Sequence, residues 1–387
     1  MDLQANAISF WNIVDGHNRG SQHTHHGIDA RTDAPLWPCP VASLEDLDDA
    51  VKAARTSLVS WAATDIKDRQ QALLALAERL LVEKELVSGI ISRETGKSKF
   101  LGDLEIEHSI NYLRFNAAQS LSDEVLHEDN EVKIVSTHSP IGVVAAICPW
   151  NFPLVLATAK IAAALIMGNC IIVKPSPFTP YSTLKFAEMA ATILPSGVFQ
   201  ALNGDAKLGE SITLHPGIDK ISFTGSTTTG KKIMANAATT LKSLTLELGG
   251  NDATVVFPDV LIDEVAPQVA VACFFNAGQM CVATKRVYVH ESIYEQFRES
   301  FVQAVRNLRQ APSSLNVFGP LQNKLQYEVI RNLIADSREQ RHQFALGEDQ
   351  ISQSGLFIDP VIIERPPDSA ALVQKEQFGN KPVPFRA

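Results

Sequence analysis

An alternation of short apolar runs and longer amphipathic stretches between positions 143 and 248 most constrains what this chain can fold into. Apolar runs at 143–148, 171–173, 198–202, 221–223 and 244–248 read as strands, and the stretches 154–168, 181–193, 206–214 and 230–240 read as helices. Strands joined through helices pair in parallel, because a parallel connection needs a long crossover, and such sheets are covered on both faces. A second unit of similar pattern follows, with a strand at 253–257, a helix at 262–278, a strand at 287–290 and a helix at 291–308. The expected fold class is therefore α/β: a doubly wound parallel sheet followed by a second α/β unit.

The N-terminal part is less regular. Residues 1–42, with HNRG, HTHH and PLWPCP, read as irregular chain. His23, His25 and His26 fit no helix face and have no paired carboxylate or cysteine, so they read as a solvated loop and no metal is expected. Ser43 opens a helix, with Asp46 three residues on as in a capping box. Leu44, Leu47, Val51, Ala54 and Leu58 follow at helical spacing, and 67–88 reads as a second amphipathic helix. Around 118–139, two β-prone runs flank the polar turn at 128–130 and read as an inserted hairpin. A lone hairpin is marginal in water and needs a sheet or a neighbouring subunit.

Composition removes several function classes. A chain of 387 residues suggests two or three domains. Its 43 Asp and Glu outnumber 34 Lys and Arg, giving a formal charge of −9. That balance disfavours nucleic-acid binding and docking on anionic membranes. The most apolar region, 141–173, is broken by Pro149, Pro153 and Lys160, so no stretch is suited to spanning a bilayer. The cysteines (Cys39, Cys148, Cys170, Cys273, Cys281) form no C-x-x-C pair. They read as reduced thiols of a cytoplasmic protein, and the N-terminus does not read as a secretory signal.

Four segments could carry chemistry. Pro149-Trp150-Asn151-Phe152-Pro153 follows a buried strand. Asn151 either caps the next helix or presents its amide at a strand's carboxyl end, where α/β sites lie. Phe223-Thr-Gly-Ser-Thr-Thr-Thr-Gly230 joins a strand to a helix. Gly225 and Gly230 allow close backbone approach, and a helix N-terminus attracts phosphate. With Lys231-Lys232 it nearly matches a P-loop, but Lys232 stands where a magnesium-binding hydroxyl is needed. Glu247-Leu-Gly-Gly250 ends an apolar strand, so Glu247 is either a buried general base or an ordinary cap or ion-pair partner. Phe275-Asn-Ala-Gly-Gln-Met-Cys281 follows a helix that Gly278 can end, leaving Cys281 on a turn as a nucleophile candidate. Cys148 and Cys273, inside apolar runs, read as packing residues.

Taken together and in this order, PWNFP, KPSPFTP, FTGSTTTG, LELGGND and GQMC resemble the aldehyde dehydrogenase superfamily, from about Trp11 to Phe378. The resemblance implies oxidation of a small-molecule aldehyde to a carboxylic acid with NAD or NADP. It implies Cys281 as the nucleophile forming a thiohemiacetal and then a thioester. Asn151 and the Cys281 N–H would hold the oxyanion, and Glu247 would act as the base for hydrolysis. It further implies cofactor contacts at Trp150, Lys174, Ser176, Gly225, Ser226, Thr227, Thr228, Thr229, Gly230, Glu376 and Phe378. The implied domains are a dinucleotide-binding domain (1–117 and 140–249), an oligomerisation hairpin (118–139) serving a homo-oligomer, and a catalytic domain (250–387).

The chain departs from the family pattern in places. Pro177 stands where many NAD-preferring members have glutamate, which leaves NAD versus NADP open. Asn380 stands where the family has proline, and the connections near 309–317 and 343–355 are short. The chain stops at Phe385-Arg-Ala, short of the family's usual remainder of the catalytic domain and its oligomerisation strand. An alternative expectation is therefore a truncated, catalytically silent relative that binds dinucleotide or a full-length partner. A P-loop-like nucleotide-binding protein is the remote alternative.

Overall fold

The computed structural model describes residues 8–120, 122–310, 317–347, 355–379 and 382–386. The chain divides into two compact units: Met1–His26, Trp37–Val87 and Glu105–Glu247 form one, and Gly27–Leu36, Ser88–Leu104 and Leu248–Ala387 the other.

The first unit holds a seven-stranded sheet in the order Ser243–Glu247, Lys220–Thr224, Val143–Ile147, Cys170–Lys174, Phe199–Ala201, Asn12–Val14, His17–Arg19. The first five strands run parallel and the last two pair antiparallel. Every residue of Cys170–Lys174 is buried, as expected of a central parallel strand covered on both faces. The helices Leu44–Ala62, Pro153–Ile166, Tyr181–Ala190, Ala206–Leu214 and Thr227–Ala238 belong to this unit. The first starts where its capping box predicts: Asp46 N donates to Ser43 Oγ at 3.1 Å, and Ser43 N donates to Asp46 Oδ2 at 2.8 Å.

The second unit holds a five-stranded sheet in the order Ala253–Val256, Arg286–Val289, Pro382–Arg386, Val361–Glu364, Gln343–Leu346. All neighbours are parallel except the last pair. Helices Ile262–Phe274 and Tyr294–Arg309 supply Phe274, Phe297 and Phe301 to a core shared with Phe385. Phe385 stacks on Phe297 and Phe301 with ring centroids 6.1 and 5.3 Å away. Each such ring is worth about 1.5–3 kcal/mol by burial alone.

Several elements differ from the sequence reading. The stretch 1–42 reads as irregular, but its described part, 8–42, is not: Asn12–Val14, His17–Arg19, Thr24–Asp29 and Ala34–Pro40 are strands. Their partners explain why they were hidden, since Ile13 pairs with Ala201 and Asn12 Oδ1 accepts the N–H of Asn203 at 2.8 Å. The 67–88 helix is two helices, Ile66–Val82 and Lys84–Thr95, broken at Glu83 (φ −92°, ψ 13°), and Lys99–Ala117 is a further helix. The 230–240 helix begins earlier, at Thr227, because Ser226 caps it. The 262–278 helix ends at Phe274, and 291–308 opens with a 3-10 turn, Glu291–Ile293, before Tyr294–Arg309. Strands Glu124–Glu128 and Lys133–Ser136 pair antiparallel, and Asp129 Oδ1 closes their turn by accepting the N–H groups of Glu131 and Val132. Among the described residues, no helix is long and apolar enough to cross a membrane.

Candidate active site

Asn151 is buried at the carboxyl end of the Val143–Ile147 strand. It does not cap the next helix. The cap position belongs to Phe152, which makes no side-chain cap bond, and Pro153 opens the helix. Proline suits that first position because its missing N–H would have no helical partner. The N–H groups of Leu154 and Val155 instead donate to Glu105 Oε1 at 2.9 and 3.3 Å. Glu105 is 1% exposed, so a buried carboxylate fixes the helix start beside Asn151 and complements its dipole.

The next strand delivers Lys174, whose backbone carbonyl accepts the N–H of Cys148 at 3.0 Å. Lys174 is buried, its stem lies on Gly209, and its ammonium donates to the carbonyl of Pro175 at 3.3 Å. Burial lowers its pKa to about 8, against the pull of Asp205. Ser176 is also buried, and its hydroxyl accepts the N–H of Phe178 at 3.3 Å. Trp150 is linked to the same stretch through its carbonyl, which accepts from Thr179 Oγ1 at 3.4 Å.

In the FTGSTTTG segment, Ser226 Oγ accepts the N–H of Thr229 at 3.2 Å and leaves the helix N-terminus facing solvent. Residues 226–229 are exposed, whereas Gly230 is buried within the first turns. Lys231 and Lys232 lie inside the helix and are exposed, so they are not placed in the phosphate-cradling loop of a P-loop. Thr224 pairs with Glu247 across the two edge-side strands. Glu247 is exposed rather than buried, because Ser243–Glu247 is the sheet's outer strand. Among the described residues its carboxylate makes no hydrogen bond or ion pair, so the structural role of a cap or ion-pair partner finds no contact.

Cys281 lies in the second unit, beyond an unusual turn. After Phe274 the chain enters the left-handed region at three successive residues: Asn276 (φ 53°), Ala277 (φ 57°) and Gly278 (φ 70°). Non-glycine residues pay about 1–2 kcal/mol each for that conformation. The turn is held by Asn276 Nδ2, which donates to the carbonyl of Gln279, and by Gln279 Nε2, which donates to the carbonyl of Asn276, at 3.2 and 3.1 Å. Gln279 Oε1 also accepts the N–H of Gln322 at 2.9 Å. Cys281 is partly exposed, whereas the four other cysteines are buried and all five are free thiols. Burial pushes Cys148 up to about 11 and Cys170 up to about 12, which leaves those two thiols protonated and inert at neutral pH.

Below this turn sits Lys285, with a side chain 0% exposed. Its ammonium donates to the carbonyls of Cys281 (2.5 Å), Met280 (3.2 Å) and Ala283 (3.2 Å), and to Asp252 Oδ2 (3.1 Å). It also lies 3.6 Å from Glu376 Oε1. Glu376 packs on Gly249, where an added Cβ would fall 2.0 Å from Oε2. Phe378 follows at φ 52°. Asn380 lies outside the described residues.

The predicted residues thus gather in two sets. Trp150, Asn151, Lys174, Ser176, residues 225–230 and Glu247 line the carboxyl ends of parallel strands in the first unit. Cys281, Glu376 and Phe378 share one corner of the second. Sequence reasoning missed Glu105, Asn276, Gln279 and Lys285. Only Lys285 left a local signal, a lysine four residues after the cysteine and directly before the Arg286–Val289 strand.

Comparisons with known proteins show the family. The model of the aldehyde dehydrogenase family matches residues 17–383. The aldehyde dehydrogenase LUC3 of a Fusarium species is 38% identical over 373 residues, covering 96% of this chain and 79% of that protein. The NAD+ complex of an aldehyde dehydrogenase from Bacillus cereus superposes with a TM-score of 0.94 at 29% identity, covering 98% of this chain and 80% of that one. An NADP-dependent enzyme of E. coli superposes with a TM-score of 0.94 at 28% identity, covering 98% and 81%. The chain belongs to the aldehyde dehydrogenase family.

Proposed function

We propose that this protein oxidises an aldehyde to a carboxylic acid with NAD+ or NADP+, using Cys281 as nucleophile, Asn151 as oxyanion donor and Glu247 as general base. The observation that carries this reading is Cys281 itself: a single partly exposed thiol among five, on a braced turn, at the position of the family's GQMC segment.

In the first step the Cys281 thiolate adds to the aldehyde carbon. The carbonyl π-pair moves to oxygen, and that oxyanion is stabilised by the Asn151 amide and the Cys281 N–H. The nicotinamide, when bound, supplies the hydride acceptor. Loss of hydride leaves a thioester on Cys281. Glu247 then takes a proton from water, whose oxygen attacks the thioester carbon, and the acid departs as the thiolate is restored. The exposed carboxylate of Glu247 suits a group that must meet water.

The residues of the first unit fit a dinucleotide. The N-terminus of the 12-residue helix Thr227–Ala238 faces solvent beside Gly225 and can receive a pyrophosphate. The Lys174 ammonium and the Ser176 hydroxyl supply polar groups for the adenosine ribose, and the Glu376 carboxylate with the Phe378 ring beside it is assigned to the nicotinamide ribose. Pro177 offers no carboxylate to repel a 2′-phosphate, which supports use of NADP as well as NAD. The adenosine and pyrophosphate contacts are thus assigned to the dinucleotide-binding domain, 1–117 and 140–249, and the nucleophile with the nicotinamide-ribose contacts to 250–387. The exposed hairpin, with Leu126 and Val125 at its surface, is assigned to self-association.

Stopped-flow mixing with a panel of aldehydes and each cofactor tests the reading. A burst of reduced cofactor near one per chain is expected, absent in Cys281→Ala while dinucleotide binding persists. Turnover retained by Cys281→Ala would remove the covalent mechanism. A folded protein that binds dinucleotide but gives no burst would instead be a silent relative.

A further inference from the structure

Lys285 is a fully buried ammonium with no role in the chemistry proposed above. Desolvating such a charge costs several kcal/mol unless it is paired and hydrogen-bonded. Here two carboxylates, Asp252 and Glu376, lie at 3.1 and 3.6 Å, and three backbone carbonyls complete the shell. An ammonium has only three N–H donors, so these five oxygens converge on one point and share them.

The carbonyls belong to Met280, Cys281 and Ala283, all within the nucleophile's own turn. Their convergence has a geometric result. A peptide unit is planar and trans, so its C=O and N–H point in opposite directions. The Met280 carbonyl and the Cys281 N–H belong to the same unit. Drawing Met280 O towards Lys285 Nζ at 3.2 Å therefore turns the Cys281 N–H away from the ammonium. The Cys281 carbonyl, held at 2.5 Å, fixes the other side of the same residue. Both peptide planes flanking Cys281 are set by one cation.

We propose that Lys285 is a positioning residue that aims the Cys281 N–H at the oxyanion formed during carbonyl addition. The inference rests on Cys281 being the nucleophile. Asp252 and Glu376 hold the cation in place, and Gly249 leaves the room that Glu376 needs to reach it.

The test separates carbonyl addition from thiol reactivity as such. Alkylation of Cys281 by iodoacetamide displaces iodide and develops no oxyanion, so it does not use the aimed N–H. In Lys285→Met, the aldehyde burst rate is expected to fall about 10²-fold, the usual cost of losing one oxyanion donor. Alkylation of Cys281, followed on its peptide by mass spectrometry, is expected to stay within about threefold of wild type, as is the dinucleotide Kd. Lys285→Arg, which keeps the charge, is expected to recover part of the burst rate. Equal losses in burst and alkylation, or an unchanged burst, would overturn the proposal. Where Lys285→Met does not fold, Lys285→Gln is expected to give the same selective loss. If neither folds, the ammonium serves the fold and the assignment is overturned. A burst abolished by Cys281→Ala but unaffected by Lys285→Met would refute this proposal alone, whereas a burst surviving Cys281→Ala would refute the reading on which it rests.

Discussion

The N–H of Gly225 donates to the carbonyl oxygen of Glu247 at 3.0 Å. This bond continues the parallel ladder one step past the Thr224–Glu247 pair and ties the entrance of the Thr227–Ala238 helix to the end of the outer strand. The backbone of Glu247 is thereby fixed while its carboxylate remains exposed, an arrangement suited to a base that exchanges protons with solvent.

From that placement, Glu247→Gln is expected to leave the first burst of reduced cofactor nearly intact and to slow steady-state turnover by about 10²–10⁴-fold, the span of general-base catalysis. Comparing burst and steady-state rates in one stopped-flow trace decides it. A steady state at the wild-type rate would exclude Glu247 as the hydrolytic base.

The depressed pKa of Lys174 gives a pH dependence with a definite sign. Burial lowers it to about 8, so the free protein loses this positive charge as pH rises through 8. Binding of NADP+, whose 2′-phosphate would benefit from the charge, should weaken above pH 8 by up to about tenfold per unit, and NAD+ binding much less. The folding linkage runs the other way. An unfolded lysine keeps its proton to higher pH, so stability rises as pH goes from about 8 towards the ordinary lysine value near 10.5. Titrations of both cofactors at pH 7 and 9, with Lys174→Met as control, check the first statement. Identical profiles for wild type and variant would reject it.

Gly249→Ala should be costly despite its small size. The added methyl carbon would lie 2.0 Å from Glu376 Oε2, so the carboxylate must swing away and weaken its 3.6 Å pairing with Lys285. The fold should survive, since only the end of a side chain has to move, while dinucleotide affinity drops about tenfold, near 1.4 kcal/mol, because the methyl displaces the carboxylate proposed to contact the nicotinamide ribose. Fluorescence titration alongside a thermal melt reads both quantities.

Glu105→Ala removes the acceptor for Leu154 and Val155 at a buried helix start. A loss of about 1–3 kcal/mol of stability is expected from the orphaned donors. Urea denaturation would show it as a lower midpoint at unchanged slope, and a wild-type midpoint would mean that water replaces the carboxylate.

The strands and helices between 143 and 247 were legible because each strand is short and apolar and glycine or proline marks most turns. The same logic failed for residues 12–40, where strands such as Thr24–Asp29 are polar and half exposed. It also failed at Asn276 and Ala277, since nothing local announces a left-handed conformation in residues that rarely adopt it. At the site, residue types with intrinsic chemistry stood out: a thiol on a turn, a carboxylate before paired glycines, an amide between prolines. Their supports did not. Glu105 acts on residues 49 and 50 positions away, and Lys285 reaches Asp252 and Glu376 from 33 and 91 positions away. Such contacts exist only once the chain has folded.

Gly278 rests so closely on Gly379 that a Cβ there would meet the Gly379 carbonyl oxygen at 2.2 Å. Backbone lies directly on backbone, with no side chain between to act as a cushion. The segment leading to Cys281 and the segment carrying Glu376 and Phe378 are thus meshed like two gear teeth. A side chain at position 278 would therefore force these two segments apart.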